Sequence, residues 1–342
     1  MDAELQGWLR ARDWPRVRDH FARVAPVSAA DFESRGLATM SLQPGAGGAR
    51  LALPDLRRAL DLQPHNPVLA VNLLQGLIDA GEVAEACRLS SAAVQALPAS
   101  ADLRDKHVQA LVAAARWDDA LQAVTAEAKG VDGQALWAAL REELQSRWWR
   151  PLSLGGLSLR LPCPDDRDFI TRSFRDRAFM TRFHRFQPAD DASIDQFIQR
   201  SGSRPRLNRR LDWIVHRGAE AIGLASLVDL DHEQRRAELL VGFPQAEGHP
   251  AAAALKASLA AMQFAFGALK LNRLISYVYG DNPASQANTL HLGLRQEGLL
   301  REHLRVDGVA LDLHVNGLLA REYFADARLL RLLQRWGGEH SS

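Results

Sequence analysis

The chain has 342 residues, 47% of them hydrophobic and 24% charged, with 42 basic and 41 acidic side chains and a formal net charge of +1. At about 150 residues per domain, this predicts two domains that each bury a core and excludes a disordered chain. Charge interrupts every apolar stretch before about 18 residues, which excludes a transmembrane helix. Two cysteines, Cys87 and Cys163, exclude a disulfide framework or a multi-thiolate metal site. The opening MDAELQGW has early acids and no apolar core, so it does not read as a signal peptide. A cytoplasmic location is expected, with neither membrane nor nucleic acid as partner. The charge is uneven: residues 172–210 hold ten arginines against four aspartates, a local anion-attracting surface.

In chain order, the first feature is a repeat. The segment from Ala59 aligns with the segment from Ala93 at a constant offset, so that Pro64 meets Pro98, Leu77 meets Leu111 and Ala86 meets Ala120. Small residues at such places let the helices of a hairpin approach closely, and the prolines fall where one hairpin ends and the next begins. Gly81 and Asp118 sit in or near the short turns between helices. Spacing and residue classes resemble the tetratricopeptide repeat family, whose usual tryptophan and tyrosine positions are mostly absent. Residues 9–24 extend the array upstream, interrupted by a glycine-rich loop at 44–50, and residues 134–148 read as its terminal helix. Such an array either solubilises its neighbour or binds a peptide or protein partner.

Near residue 150 the pattern changes. Pro151 disfavours helix at Arg150, giving expected domains of 1–149 and 150–336. Strands are predicted at 157–161, 211–217, 221–230, 236–243, 273–280 and 309–316, from alternation and hairpin signals. Helices are predicted at 165–174, 192–200, an alanine-rich stretch to Phe266, 282–293, and the amphipathic last residues. The stretch 169–187 interleaves five phenylalanines with five arginines. It reads as an anionic-acceptor or base-stacking surface, or as an amphipathic helix with wet arginines.

The order RRAELLVGFPQAEGHP, FGALKLNRLISYV, GDNPASQANTLHLGLRQEGLL and LLAREY resembles the GCN5-related N-acetyltransferase (GNAT) family, in its branch of bacterial ribosomal-protein acetyltransferases. The resemblance covers about half of the chain. It implies an α-α repeat array followed by a mixed, mostly antiparallel sheet flanked by helices, and transfer of acetyl from acetyl-CoA to an amine without a metal. It further implies that the backbone of Leu239, Leu240, Val241, Gly242 and Phe243 holds the pantetheine arm and the thioester oxyanion. Gln245, Ala246, Glu247, Gly248, His249, Ala251 and Ala252 would cradle the pyrophosphate, and Asn282 and Ser285 would contact the far side of the cofactor. Glu238 is the implied base, and Ser285 a candidate for the thiolate proton.

Two departures stand out. Pro250 replaces the family's second loop glycine and removes one N–H donor. Thr289 stands where the family places a tyrosine, leaving thiolate protonation to Ser285, His291 or water. The remaining histidines, including His216, His232, His303 and His314, lie singly, without the paired spacing of a zinc site. The expected function is an N-acetyltransferase for a protein amine or amino sugar, with the repeats positioning a partner or substrate. The alternative is a partner-binding scaffold whose acetyltransferase domain is catalytically degenerate and senses CoA.

Overall fold

The structure, a computed structural model, describes residues 3–127, 137–184, 188–244 and 252–337. Contacts divide it into two compact units, Met1–Arg141 and Glu142–Ser342.

The first unit is helical. Its described helices are α1 (Ala3–Ala11), α2 (Trp14–Phe21), α3 (Ala29–Leu42), α4 (Ala46–Leu62), α5 (Pro67–Ala80), α6 (Val83–Ala96), α7 (Ala101–Ala113) and α8 (Trp117–Glu127). The hairpins α5–α6 and α7–α8 start at Pro67 and Ala101, one repeat apart as the sequence offset predicts, and their caps repeat too. Asn66 accepts from Val68 N at 3.0 Å, and its counterpart in the next repeat, Ser100, accepts from Leu103 N at 3.4 Å. The expected interruption at 44–50 is corrected. Gly45, at φ +100°, caps α4, and residues 46–50 are already helical. Helix α4 then delivers Leu56, 1% exposed, into the core. A β-carbon at Gly36 or at Gly76 would come within 2.9 Å of the Leu56 side chain, so α3 and α5 close on α4 only because both residues are glycine.

Helix α9 (Ala138–Gln145) covers only part of the expected terminal helix, and residues 134–136 of that expectation lie outside the described residues. Glu143, 3% exposed, accepts from Arg204 Nε and Arg206 N, both at 2.8 Å. These bonds hold the end of α9 within the second unit, ahead of the change in sequence pattern near 150.

The second unit is built on eight strands: β1 (Leu152–Leu154), β2 (Leu157–Arg160), β3 (Leu211–Arg217), β4 (Glu220–Asp231), β5 (Arg236–Gly242), β6 (Arg273–Tyr279), β7 (Arg295–Val306) and β8 (Val309–Leu319). Their order in the sheet is β1-β2-β3-β4-β5-β6-β8-β7, antiparallel throughout except for β5 and β6. The mixed, mostly antiparallel sheet flanked by helices is as expected.

One face carries α10 (Arg167–Arg175), α11 (Arg177–Phe183), α12 (Asp191–Ser201) and the short α13 (Pro205–Asn208). Ile170, Phe174, Met180, Ile194 and Phe197 pack there on Ile214 and Leu224, with Phe169, Phe179 and Phe183 at the margin. Phe174 is thus core, the other three rings of 169–183 are partly buried against it, and Arg175 pairs with Asp191 at 3.0 Å. The helix predicted at 165–174 corresponds to α10, and an amphipathic helix over 169–187 would be interrupted at Asp176, which caps α11 by accepting from Phe179 N. The other face carries α14 (Ala253–Gln263), which runs into a π-helical turn at Phe264–Ala268, where Phe264 meets Trp213 edge-on. Helix α15 (Pro283–His291) lies between β6 and β7. The C-terminal amphipathic stretch is two helices, α16 (Ala320–Ala325) and α17 (Ala327–Gly337), because Asp326 turns its carboxylate to Arg328 N and Leu329 N and starts a new helix. Strand β7 was not predicted. Among the described residues, no helix is long and apolar enough to cross a membrane.

Candidate active site

The one parallel contact of the sheet defines the site. Strands β5 and β6 pair only at Arg236–Arg273, Ala237–Leu274 and Glu238–Ile275. Beyond Glu238, β5 stays in register with β4, Leu239 opposite Leu227 through to Gly242 opposite Leu224, while β6 follows β8 out to Tyr279. The two halves of the sheet fork at Glu238. Alternate main-chain groups of Leu239–Gly242 therefore face the fork without a strand partner, an edge that an extended amide chain can join as an added strand.

Strand alternation sorts the side chains around this fork. Ala237, 1% exposed, and Leu239, 7%, turn inward, whereas Glu238 and Leu240 line a cavity of about 710 Å³. Tyr277 and Tyr279 enter it from β6, Leu313 from β8, and Leu300, His303 and Leu304 from β7. Gly242, at the end of this row, lies under Phe179 and Phe183, whose rings stack at 5.1 Å. A β-carbon on Gly242 would come within 2.7 Å of both rings.

Electrostatics single out Glu238. Burial, and then the negative charge of Asp229, push its carboxyl up to about 7, against the opposing pull of Arg210. Arg210 is itself engaged: its Nε donates to both oxygens of Asp212 at 2.8 Å, and Ser226 Oγ donates to Asp212 at 2.6 Å. Nη1 of Arg210 lies 3.3 Å from Nε2 of His184, and burial together with that guanidinium lowers the His184 pKa. A half-buried carboxyl titrating near neutrality, on the wall of a cavity, is suited to accept a proton from a substrate.

The other predicted site residues fall as follows. Leu239–Phe243 form or follow the forked edge. Gln245, Ala246, Glu247, Gly248, His249 and Ala251, with Pro250, lie outside the described residues. Ala252 precedes α14, a helix start with no side-chain cap. Asn282 caps α15, its Oδ1 accepting from Ser285 N at 3.1 Å, so these two residues are held together. Neither Asn282 nor Ser285 lines the cavity that holds Glu238. Thr289 is buried, and His291 is exposed on the helix surface. Among the described residues, no cluster of side chains could hold a metal ion.

Sequence reasoning missed Asp229, Tyr277, Tyr279 and His303 as cavity residues. The tyrosines were legible, since two residues of spacing on a strand puts both on one face. Asp229 was not, because a bulge places it, and His303 sits on the strand that was not predicted.

Residues 157–295 match the family model of the acetyltransferase (GNAT) domain, and residues 1–140 match that of the tetratricopeptide repeat. An uncharacterized N-acetyltransferase p20 of Bacillus licheniformis is 28% identical over 172 residues, 49% of this chain and 94% of its own length. Among solved structures, a spermidine N-acetyltransferase from Vibrio cholerae, in complex with CoA and spermine, is 23% identical over 49% of this chain and 98% of its own, with a TM-score of 0.44. RimJ of Mycobacterium smegmatis, in complex with CoA-disulfide, is 21% identical over 54% of this chain and 93% of its own, with a TM-score of 0.45.

Proposed function

From a chain that carries a GNAT acetyltransferase domain behind a tetratricopeptide-repeat region, we propose an acetyl-CoA-dependent N-acetyltransferase in which the acceptor amine attacks the thioester directly and Glu238 takes its proton. The observation that carries this reading is Glu238 itself. It stands at the last paired residue before the sheet forks, on a cavity wall, with a carboxyl pushed up to about 7.

An amine of pKa ~10.4 arrives protonated at neutral pH. Glu238, ionised in part there, takes one proton from the ammonium and frees the lone pair with which the nitrogen then attacks the acetyl carbon. The new C–N bond forms, the C–S bond breaks, and the second proton of the nitrogen passes through water to the departing thiolate, so that CoA leaves as the thiol; a thiol pKa of ~8.5 makes that departure feasible without a dedicated acid. Acetyl-CoA supplies the activated acyl group. Main-chain groups of Leu239–Phe243 would hold its pantetheine arm and steady the carbonyl oxygen. The pyrophosphate would fall to the Gln245–Ala252 segment and the first turn of α14, where unpaired N–H groups and the helix dipole favour an anion. Asn282 and Ser285 would meet the cofactor's far side, their mutual bond fixing both. The repeats would hold a protein partner or substrate, a role supported by the family they match.

Calorimetric titration with acetyl-CoA tests the first half of the reading, with micromolar binding expected. A thiol-release assay comparing wild type with Glu238→Gln tests the second: turnover should fall while acetyl-CoA affinity stays. Absence of binding up to millimolar concentration overturns the cofactor assignment, and equal turnover removes Glu238 from the reaction. Binding without turnover for any amine leaves the CoA-sensing scaffold as the surviving reading.

A further inference from the structure

A second carboxylate reaches the cavity by an irregularity of the sheet. The β4–β5 register places Val228 opposite Glu238 and then shifts before Asp231 meets Arg236. In a regular strand Asp229 would face away from Val228 and Glu238. Instead its backbone is left-handed, at φ +50°, and its exposed side chain lines the same cavity as both. A non-glycine residue in that conformation carries a strain that aspartate tolerates better than most, and bulges of this kind re-aim a side chain at a site.

The positive charges on the wall are already met. Arg210 is bound to Asp212, Arg182 is paired with Asp281, and Arg209 lies 3.9 Å from Asp231. Among the described residues, Asp229 and Glu238 are the wall carboxylates in no ion pair. Counting those partners, the wall has an excess of negative charge, concentrated where β4 and β5 diverge from regular pairing.

We propose that Asp229 is a specificity-determining residue, binding a second positive charge on the acceptor while Glu238 receives the proton of the reacting amine. This rests on the acetyl-transfer reading above and narrows its acceptor to short dications. Side chains on adjacent strands stand about 5–8 Å apart, so the two nitrogens of the acceptor should be separated by only a few bonds.

The test measures acetyl transfer to n-propylamine and to 1,3-diaminopropane, which differ by the second ammonium, in wild type, Asp229→Asn and Asp229→Gly. Both replacements accept a left-handed backbone and remove the charge, and the ratio of kcat/KM for the two amines is insensitive to the fraction of protein folded. Wild type should prefer the diamine about tenfold or more, as expected of one well-placed charge pair, and both variants should bring the ratio towards one. A wild-type ratio near one, a ratio kept by either variant, or no turnover of either amine by protein that binds acetyl-CoA overturns the proposal. Failure to bind acetyl-CoA would instead sink the reading on which it rests.

Discussion

Ala115 occupies the place that Gly81 holds one repeat earlier, and both are left-handed, at φ +53° and +80°. The turns are the same. Gly81 N bonds Ile78 O and Glu82 N bonds Leu77 O; Ala115 N bonds Val112 O and Arg116 N bonds Leu111 O. Glycine enters this conformation freely, whereas alanine is held there against its β-carbon. Ala115→Gly should therefore stabilise the α7–α8 hairpin by about 0.5–1 kcal/mol. Native-state hydrogen exchange of those helices in the full chain should slow by about two- to fivefold, and Gly81→Ala should do the reverse to α5–α6.

The raised carboxyl of Glu238 makes a pH prediction. Its folded pKa of about 7 lies above the ordinary 4.5, so between those values the native state binds more proton than the unfolded one. Stability is then lost as pH rises from 4.5 to 7, and the loss is constant above that range. Glu238→Gln should leave stability nearly unchanged at pH 4 and raise it by about 1–3 kcal/mol at pH 8. In the wild type, kcat/KM should fall below a limb near pH 7, and the variant should lack that limb.

Gly242 has no room for a side chain beneath the stacked pair Phe179 and Phe183. Gly242→Ala should push the rings aside, costing about 1–3 kcal/mol and displacing the edge at the fork. Acetyl-CoA affinity should drop with stability, and Phe183→Leu in the same chain should recover part of both. Calorimetry and thermal unfolding read the two effects separately.

Glu143 meets the Arg204 guanidinium and the Arg206 N–H while itself excluded from solvent. Glu143→Ala leaves that guanidinium without its counter-charge, a loss of about 3 kcal/mol. Glu143→Gln keeps an oxygen for the Arg206 N–H and should cost less. Urea unfolding of the second unit, followed by the fluorescence of its tryptophans, checks the order.

Much of this architecture was legible because period and punctuation agreed. The repeat showed in Pro64 and Pro98 and returned in the caps Asn66 and Ser100. Strands β3 to β6 showed as apolar strand-like runs, β3 and β4 joined by a hairpin signal, and β5 carried Glu238 with it. Strand β7 escaped because its sequence, RQEGLLREHLRV, is almost wholly exposed and lacks an apolar face; hairpin pairing with β8, not burial, makes it a strand. The PGAGGAR segment looked like a loop, yet Gly48 lies inside α4, where a β-carbon would overlap the carbonyl of Gln43 at 1.7 Å and only glycine fits. Position decides which role glycine takes, and position was not readable. Asp229 was hidden for a related reason: its orientation depends on one register shift, and alternation assigns it to the wrong face.

Among the described residues, three residue pairs between β5 and β6 make up the strand ladder that joins the β1–β5 half of the sheet to the β6–β8 half. As a strand ladder this is a single narrow pin at Arg236–Glu238 between two leaves, which the pairs Arg182–Asp281 and Arg177–Asp307 also brace from the helix side. A chain bound as an added strand would wedge the leaves at one angle and couple their vibrations. The angle also sets how far Tyr277 and Tyr279 stand from Glu238, so the width of the cavity they line would change with whatever occupied the fork.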